Sequence, residues 1–140
     1  MVHDRDHGAE RARRRILIID DELLLVRSFC RVLIQDYEVC GVSSATDAMA
    51  RISSGDRWDL ILCDLQMPNV DGVEFYRWIT RSNPELARRT AFVTGGAFTP
   101  RLESFLRYTS APVLHKPVAP DELRSFVQEL LARTTDVARS

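Results

Sequence analysis

Residues 16–22 read Ile-Leu-Ile-Ile-Asp-Asp-Glu, so four apolar side chains in succession are followed by three acids. A short, continuous and β-branched apolar run is typical of a strand that is buried on both faces of a sheet. The acids favour the first turn of a helix, because carboxylates are stabilised at the positive end of the helix dipole. This stretch therefore predicts a β-strand that leads directly into a helix.

The same pattern of an apolar run followed by a polar residue recurs along the chain. Further runs predict strands at residues 39–42, 60–63, 91–93 and 112–115. Apolar residues at helical spacing come after each run. Five strands that alternate with five helices require a parallel sheet with helices on both faces. Because crossovers are right-handed, we expect a doubly wound α/β fold with the flavodoxin-like strand order 2-1-3-4-5.

Local signals mark where several helices begin and end. Ser44 and Asp47 have the spacing of a capping box. Asn83-Pro84 is expected to end the third helix, since the residue before a proline disfavours the helical conformation. Thr99-Pro100 has the form of a helix N-cap followed by proline at the first helical position.

Length and composition limit the classes of protein to consider. The chain has 140 residues and a formal net charge of −1, which suits one domain and offers no bulk basic excess for nucleic-acid binding. No uncharged apolar run approaches the length of a membrane span, so no membrane association is expected. Cys30, Cys40 and Cys63 lie inside apolar runs without metal or disulfide spacing. We therefore expect buried thiols in the reducing cytoplasm.

Polar residues stand where four of the predicted strands end. Asp20 and Asp21 follow the first strand, Asp64 the third, Thr94 the fourth and Lys116 the fifth. The carboxyl ends of parallel strands share one edge, and the first and third strands are neighbours in the expected order. The three carboxylates should therefore lie in one crevice. Crowded carboxylates repel each other, and hard oxygen ligands point to Mg²⁺, or Mn²⁺ in its place.

The other two polar residues suit a phosphoryl group. Mg²⁺ readily shares oxygen ligands with such a group, Lys116 offers a point charge and Thr94 offers a hydroxyl donor. The combination predicts that a carboxylate attacks phosphorus and forms an aspartyl phosphate. Positioning and charge neutralisation carry most of such a reaction.

Four segments together resemble the receiver domain of two-component response regulators, over about residues 15–133. The segments are Ile18-Ile19-Asp20-Asp21-Glu22, Asp64 to Gly72, Val93-Thr94-Gly95 and His115-Lys116-Pro117. The resemblance implies that Asp64 is the phosphoacceptor. It also implies that Mg²⁺ is held by Asp21, Asp64 and the backbone carbonyl of Gln66, while Asp20 acts through water.

The resemblance further assigns the switch that responds to phosphorylation. Thr94 would bond the phosphoryl oxygens, Lys116 would pair with the phosphate, and the Lys116–Pro117 bond is expected to be cis. One residue departs from the family pattern: receivers often carry an aromatic residue three positions before the lysine, and here that position is Val113. We therefore expect output through the fourth helix and the preceding loop, where Gly95-Gly96 predicts mobility.

A receiver of this kind accepts a phosphoryl group from a phosphohistidine and shifts conformation to control a partner, without being an enzyme for other substrates. The implied partner is a sensor histidine kinase or a histidine phosphotransfer protein. Helix four, strand five and helix five form a candidate dimer face. The tail after Arg133 is too short for an output domain, so we expect no direct DNA binding. The chain would be a stand-alone regulator or the receiver of a hybrid histidine kinase.

The expected organisation places a flexible leader at residues 1–14, the receiver domain at 15–133 and a flexible tail at 134–140. Three alternatives remain open. A phosphorylation-independent pseudo-receiver would only dock onto a partner. A Mg-dependent aspartyl-phosphate phosphatase needs a second Asp where this chain has Gln66. A flavodoxin-like cofactor binder needs a phosphate loop after the first strand, and no such loop is present.

Overall fold

The computed structural model describes residues 13–96 and 99–139, with side chains up to Arg133. In this part of the chain five strands form one sheet. Their bounds are β1 Arg15–Ile19, β2 Glu38–Val42, β3 Leu60–Cys63, β4 Thr90–Thr94 and β5 Val113–His115. Neighbouring strands are parallel, and their order is β2-β1-β3-β4-β5. The predicted strand order and α/β class are confirmed.

Five longer helices and one single-turn helix occur in the described residues. The longer ones are α1 Leu23–Leu33, α2 Ala45–Ser53, α3 Gly72–Ser82, α4 Pro100–Tyr108 and α5 Pro120–Arg139. The single-turn helix, Pro84–Ala87, was not predicted. It begins after α3 because the side chain of Asn83 accepts a hydrogen bond from the backbone N–H of Leu86 and proline occupies the first position.

The two faces of the sheet carry separate apolar clusters, because successive strand residues point to opposite faces. In β1, Leu17 and Ile19 pack in the cluster formed with α2, α3 and α4, whereas Ile16 and Ile18 pack in the cluster formed with α1 and α5. All four side chains are at most 2% exposed. Burial on both faces explains why this strand reads as a continuous apolar run.

The predicted helix signals act through backbone hydrogen bonds. The Ser44 hydroxyl accepts from the N–H of Asp47 at 3.1 Å, which caps α2. The Thr99 hydroxyl accepts from the N–H of Leu102 at 3.2 Å, which caps α4. Helix α3 ends at Ser82, before the proline, as predicted.

The prediction that acids occupy the first turn of α1 is wrong. The helix begins at Leu23, its first turn holds no acid, and Glu22 at the N-cap makes no side-chain capping bond. Instead, the Asp20 carboxylate accepts a hydrogen bond from the backbone N–H of Glu22 at 2.9 Å. Asp20 therefore shapes the turn between β1 and α1, and all three acids precede the helix.

The described residues reach into both of the predicted terminal segments. The Arg13 guanidinium donates hydrogen bonds of 2.8 Å to the carbonyl oxygens of Ile34 and Tyr37, so it docks beside the end of α1. Helix α5 continues to Arg139, through the stretch predicted to be a tail. Residues 1–12, the rest of the predicted leader, lie outside the described residues. Among the helices described, none is both long and apolar enough to cross a membrane.

Candidate functional site

The three predicted acids meet at the carboxyl edge of the sheet. Asp20 and Asp21 follow β1, Asp64 follows β3, and the backbone N–H of Asp64 donates to the carbonyl of Ile19 at 2.9 Å. One carboxylate oxygen from each acid lies within 4.8 Å of the others. Asp20 and Asp64 are 3% and 6% exposed, whereas Asp21 is exposed. The structure therefore brings the acids together from two neighbouring strands.

Lys116 joins this cluster from the end of β5. Its Nζ atom lies 2.9 Å from Oδ2 of Asp20 and 3.6 Å from Oδ2 of Asp64. Its backbone N–H donates to the carbonyl of Thr94 at 2.7 Å, which ties the residue to the end of β4. Lys116 is also the only lysine in the sequence, all other basic side chains apart from histidine being arginine. A single lysine among so many arginines is itself a sequence signal for this position.

Burial and crowding shift the ionisation of the cluster. Burial, followed by the charge of Asp20, raises the pKa of Asp64 from 3.8 to about 6, although Lys116 opposes the rise. Burial lowers the pKa of Lys116, but its hydrogen bond to Asp20 and the charge of Asp64 outweigh burial and raise it above 10.5. Lys116 therefore stays protonated at neutral pH.

The donor set of the cluster fits a divalent cation. Three carboxylates face one ammonium group, so the ionised cluster carries an excess of negative charge in a largely buried crevice. All the candidate ligands are hard oxygens, which Mg²⁺ prefers. The neighbouring Cys63 thiol donates to the carbonyl of Asp64 at 3.2 Å, and burial raises its pKa well above 9.0. That thiol remains protonated and offers no competing soft ligand.

Thr94 contributes a hydroxyl that the protein leaves unused. The side chain is fully buried at the end of β4, and its Oγ1 atom has no hydrogen-bond partner among the described residues. A buried polar group without a partner costs about 1–3 kcal/mol. Thr94 is also joined by its backbone carbonyl to the N–H of Lys116, so an orphaned hydroxyl on this residue fits a site that is completed by an incoming acceptor.

The loop between β3 and α3 holds Asp64 from the other side. The backbone N–H of Gln66 donates to Oδ1 of Asp64 at 3.3 Å. The predicted use of the Gln66 carbonyl as a metal ligand stays a prediction. Asp71 and Glu74 form a full capping box at the start of α3, which the sequence analysis missed. A Cβ atom on Gly72 would lie 2.5 Å from the Asp64 carbonyl, so this turn requires glycine.

The surroundings of the predicted switch include a cis peptide bond and a group of aromatic rings. The Lys116–Pro117 peptide bond is cis, as predicted. Val113 is half-buried and packs against the cluster that contains the ring of Phe92. Phe92 makes edge-to-face contacts with Tyr76 and Phe105, whose ring centroids lie 5.4 and 5.3 Å away. An aromatic group therefore connects β4 to α3 and α4, although position 113 is not aromatic.

The sequence analysis also missed an ion pair between the start of α3 and α4. The guanidinium group of Arg101 in α4 bonds the carboxylate of Asp71, the residue that caps α3. This pair raises the pKa of Arg101 above its usual value. It fastens α4 close to the loop that carries Asp64.

Comparisons with known proteins agree with this geometry. The family model of the response regulator receiver domain matches residues 16–128. The hydrogenase transcriptional regulatory protein HoxA of Bradyrhizobium diazoefficiens is 32% identical over 115 residues, which are 81% of this chain and 23% of that protein. A protein-glutamate methylesterase/protein-glutamine glutaminase of Cereibacter sphaeroides is 31% identical over 130 residues, 90% of this chain and 34% of that protein. The chain thus spans a quarter to a third of these relatives.

Solved structures show the same fold. A receiver domain protein (CheY-like) from Methanospirillum hungatei is 26% identical with a TM-score of 0.78, over 89% of this chain and 98% of that one. A response regulator receiver protein from Sinorhizobium medicae is 25% identical with a TM-score of 0.73, over 88% and 98% of the two chains. The strand order, the acidic crevice and the family match lead to one conclusion. This chain belongs to the response regulator receiver domain family.

Proposed function

We propose that the protein is a phosphorylation-dependent signalling receiver in which Asp64 accepts a phosphoryl group from a phosphohistidine. The observation that carries the proposal is the meeting of Asp20, Asp21 and Asp64 within 4.8 Å. Lys116 lies 3.6 Å from Asp64, which adds a cation to the same crevice. Crowded carboxylates repel each other, so the cluster costs free energy unless a cation or a reactant balances its charge. Phosphoryl transfer is catalysed mainly by charges held in the right position.

The transfer exchanges one bond for another. A carboxylate oxygen of Asp64 attacks phosphorus, the bond from phosphorus to the histidine nitrogen breaks, and the imidazole leaves with that electron pair. Hydrogen bonding by the Gln66 N–H at 3.3 Å orients the carboxylate before the attack. Nearby, Lys116 neutralises charge that builds on the phosphoryl oxygens.

A bound Mg²⁺ would supply charge neutralisation between the carboxylates and the phosphoryl oxygens. The residues that would hold it are Asp21, Asp64 and the Gln66 carbonyl, with Asp20 acting through water. Two of these acids are largely buried, Asp20 at 3% and Asp64 at 6% exposure, whereas Asp21 is exposed.

The signal would then be a shift between two conformations. The phosphorylated site favours an arrangement in which the Thr94 hydroxyl donates to a phosphoryl oxygen, which relieves its lack of a partner. Taking such an equilibrium from mostly off to mostly on requires about 5 kcal/mol of differential stabilisation. The change would reach α4 through the loop that follows β4.

The proposed partners follow from this chemistry. The phosphoryl donor is a sensor histidine kinase or a histidine phosphotransfer protein. The face made by α4, β5 and α5 would contact the output partner or a second copy. We place this exchange in the cytoplasm, and the three free cysteines are consistent with a reducing compartment. We assign residues 15–133 to the receiver domain and propose no enzymatic activity beyond reactions of the phosphoryl group at Asp64.

The test is incubation of the full chain with Mg²⁺ and a small acyl phosphate, followed by intact mass and phosphate release. We expect a mass gain of one phosphoryl group that requires Mg²⁺ and is lost in Asp64→Asn. The matched control is Asp59→Asn, which changes the aspartate directly before β3 instead of the one directly after it. That control should still be phosphorylated.

Other outcomes would count for the alternatives. No mass gain under any condition would favour a pseudo-receiver that docks without phosphorylation. Continuous phosphate release without a stable mass gain would favour a phosphatase. Retention of the mass gain in Asp64→Asn would overturn the assignment of the acceptor.

A further inference from the structure

A cavity of about 400 Å³ lies at the opposite edge of the sheet from the acidic site. It adjoins the first residues of β3 and β4 and the turn before β5, whereas the acids follow the last residues of their strands. Its apolar lining includes Leu60, Ala87, Ala91, Pro112 and Leu130. Pockets that bind small molecules have volumes of roughly 300–1,000 Å³ and are mostly apolar.

The gap exists because β5 is short and the nearby side chains are small. The first backbone bond between the two strands runs from the N–H of Phe92 to the carbonyl of Pro112, so the two residues at the start of β4 extend beyond β5. Ala87, Ala91 and Ala111 line this region, and alanine fills little volume. Protein interiors normally leave few voids larger than a water molecule.

Positive groups border the apolar lining. The charged residues of the cavity are Glu85, Arg88, Arg89 and Arg133. Arg133 is held by Glu129 at 2.8 Å, but the ion pairs of Arg89 with Glu85 and Asp59 measure 3.7 and 3.9 Å. Those distances exceed a charge-assisted hydrogen bond of about 2.7–2.9 Å, so the donors of Arg89 are not saturated.

Arg88 is the most available of these cations. Its side chain is exposed at the rim and makes no hydrogen bond or ion pair with the described residues. A guanidinium group offers five donors in a planar fork that matches carboxylate, sulfonate or phosphate oxygens. The cavity therefore combines an apolar interior with adjacent anion-binding groups.

We propose that this cavity binds an amphiphilic anion, a small molecule with an apolar body and one carboxylate, sulfonate or phosphate group. The apolar body occupies the space beside the half-buried Ala111 and Pro112, and the anionic group is bound by Arg88 and Arg89. Binding here does not depend on phosphorylation of Asp64, so the two proposals can fail separately.

The test uses a naphthalene sulfonate as the probe, titrated into the full isotope-labelled chain and followed by amide NMR. We expect saturable shifts that centre on Thr90, Ala91 and Ala111. Arg88→Gln should weaken binding about tenfold, since a hydrogen bond to a charged group is lost. The uncharged naphthalene sulfonamide should also bind about tenfold more weakly, for the same reason.

Two further variants make the result specific. Ser110→Trp places a large ring at the exposed rim of the cavity and should abolish the shifts while the spectrum elsewhere stays native. The matched control is Arg77→Gln, which removes an exposed arginine of α3 that does not line the cavity. Equal weakening by Arg77→Gln and Arg88→Gln, shifts centred elsewhere, or no saturation at millimolar probe would each overturn the proposal.

Discussion

The Nζ atom of Lys116 lies 2.9 Å from Oδ2 of Asp20, although the two residues are 96 positions apart in the chain. The Asp20 side chain is 5% exposed and the Lys116 side chain 20% exposed, so the contact is shielded from water. Lys116 is therefore a structural counter-ion of the acidic crevice before any phosphoryl group is present.

Removing the ammonium group of Lys116 should lower the free energy of unfolding, because the buried acids then lack a counter-ion. In Lys116→Met, measured in EDTA, we expect the free energy of unfolding to fall by about 3 kcal/mol, because a buried carboxylate loses its partner. Added Mg²⁺ should reduce the difference in unfolding free energy between the variant and the native protein, since the more negative site of the variant binds the ion more tightly. Urea unfolding with and without Mg²⁺ measures both effects.

A surface ion pair provides the control for that experiment. Arg124→Met breaks the pair with Asp121, whose carboxylate is 98% exposed. Exposed ion pairs contribute little to stability, so the urea midpoint of Arg124→Met should equal that of the native protein. If Lys116→Met is as stable as the native protein in EDTA, Lys116 is not the counter-ion described here.

The raised pKa of Asp64 predicts an unusual pH dependence of stability in the absence of metal. Its pKa is about 6 in the folded protein against a usual value of 3.8. Between these values the folded protein holds a proton that the unfolded chain has lost. Stability therefore falls as pH rises from about 4 to about 6, and the loss persists above that range.

Asp64→Asn should remove the fall of stability with rising pH. In EDTA at neutral pH we expect the variant to be more stable than the native protein, by up to about 3 kcal/mol, because the amide has no charge to bury. The comparison is urea unfolding over the acidic to neutral range, with the exposed Asp36→Asn as control. A variant that is less stable than the native protein at neutral pH would contradict this account.

The fold and the acidic site could be predicted from the sequence for one physical reason. Buried parallel strands appear as short apolar runs, and the polar residue that ends each run must lie at one edge of the sheet. Asp64 and Lys116 were placed correctly by this argument because their positions depend on backbone topology alone. The position of Thr94 at the end of β4 follows from the same topology. That its hydroxyl has no hydrogen-bond partner among the described residues depends on side-chain packing, which the sequence pattern does not reveal.

Contacts made by arginine side chains could not be predicted in this way. Arg13 binds the carbonyl oxygens of Ile34 and Tyr37, which are backbone acceptors and leave no sequence signal. The pair between Asp71 and Arg101 depends on the path of two loops, and each residue alone reads as an ordinary helix-start residue. Long polar side chains reach many partners, so spacing along the chain does not select one.

The pair between Asp71 and Arg101 should restrain the start of α4. In Arg101→Gln we expect faster amide hydrogen exchange in the first turns of α4, with exchange in α3 unchanged because Asp71 still accepts the Glu74 N–H at 2.9 Å. Global stability should change by less than about 1 kcal/mol, since the pair is partly exposed. Unchanged exchange in α4 would show that the pair does not restrain the helix.

The packing of α1 on β2 gives a last prediction, which concerns Gly41. A Cβ atom at this position would lie 2.2 Å from Cγ1 of Val26, a stiff β-branched side chain in α1. Gly41→Ala should therefore destabilise the protein by about 1–3 kcal/mol, measured by urea unfolding. Adding Val26→Ala should remove the clash, so the double variant should be more stable than the sum of the two single changes implies.

Gly55→Ala is the control, because its φ of 104° strains the backbone but no atom lies within 4 Å of the added Cβ. The loss of unfolding free energy in Gly55→Ala should be the same with Val26 or with alanine at position 26. If the effects of Gly41→Ala and Val26→Ala on that free energy simply add, the close contact between the two residues is contradicted.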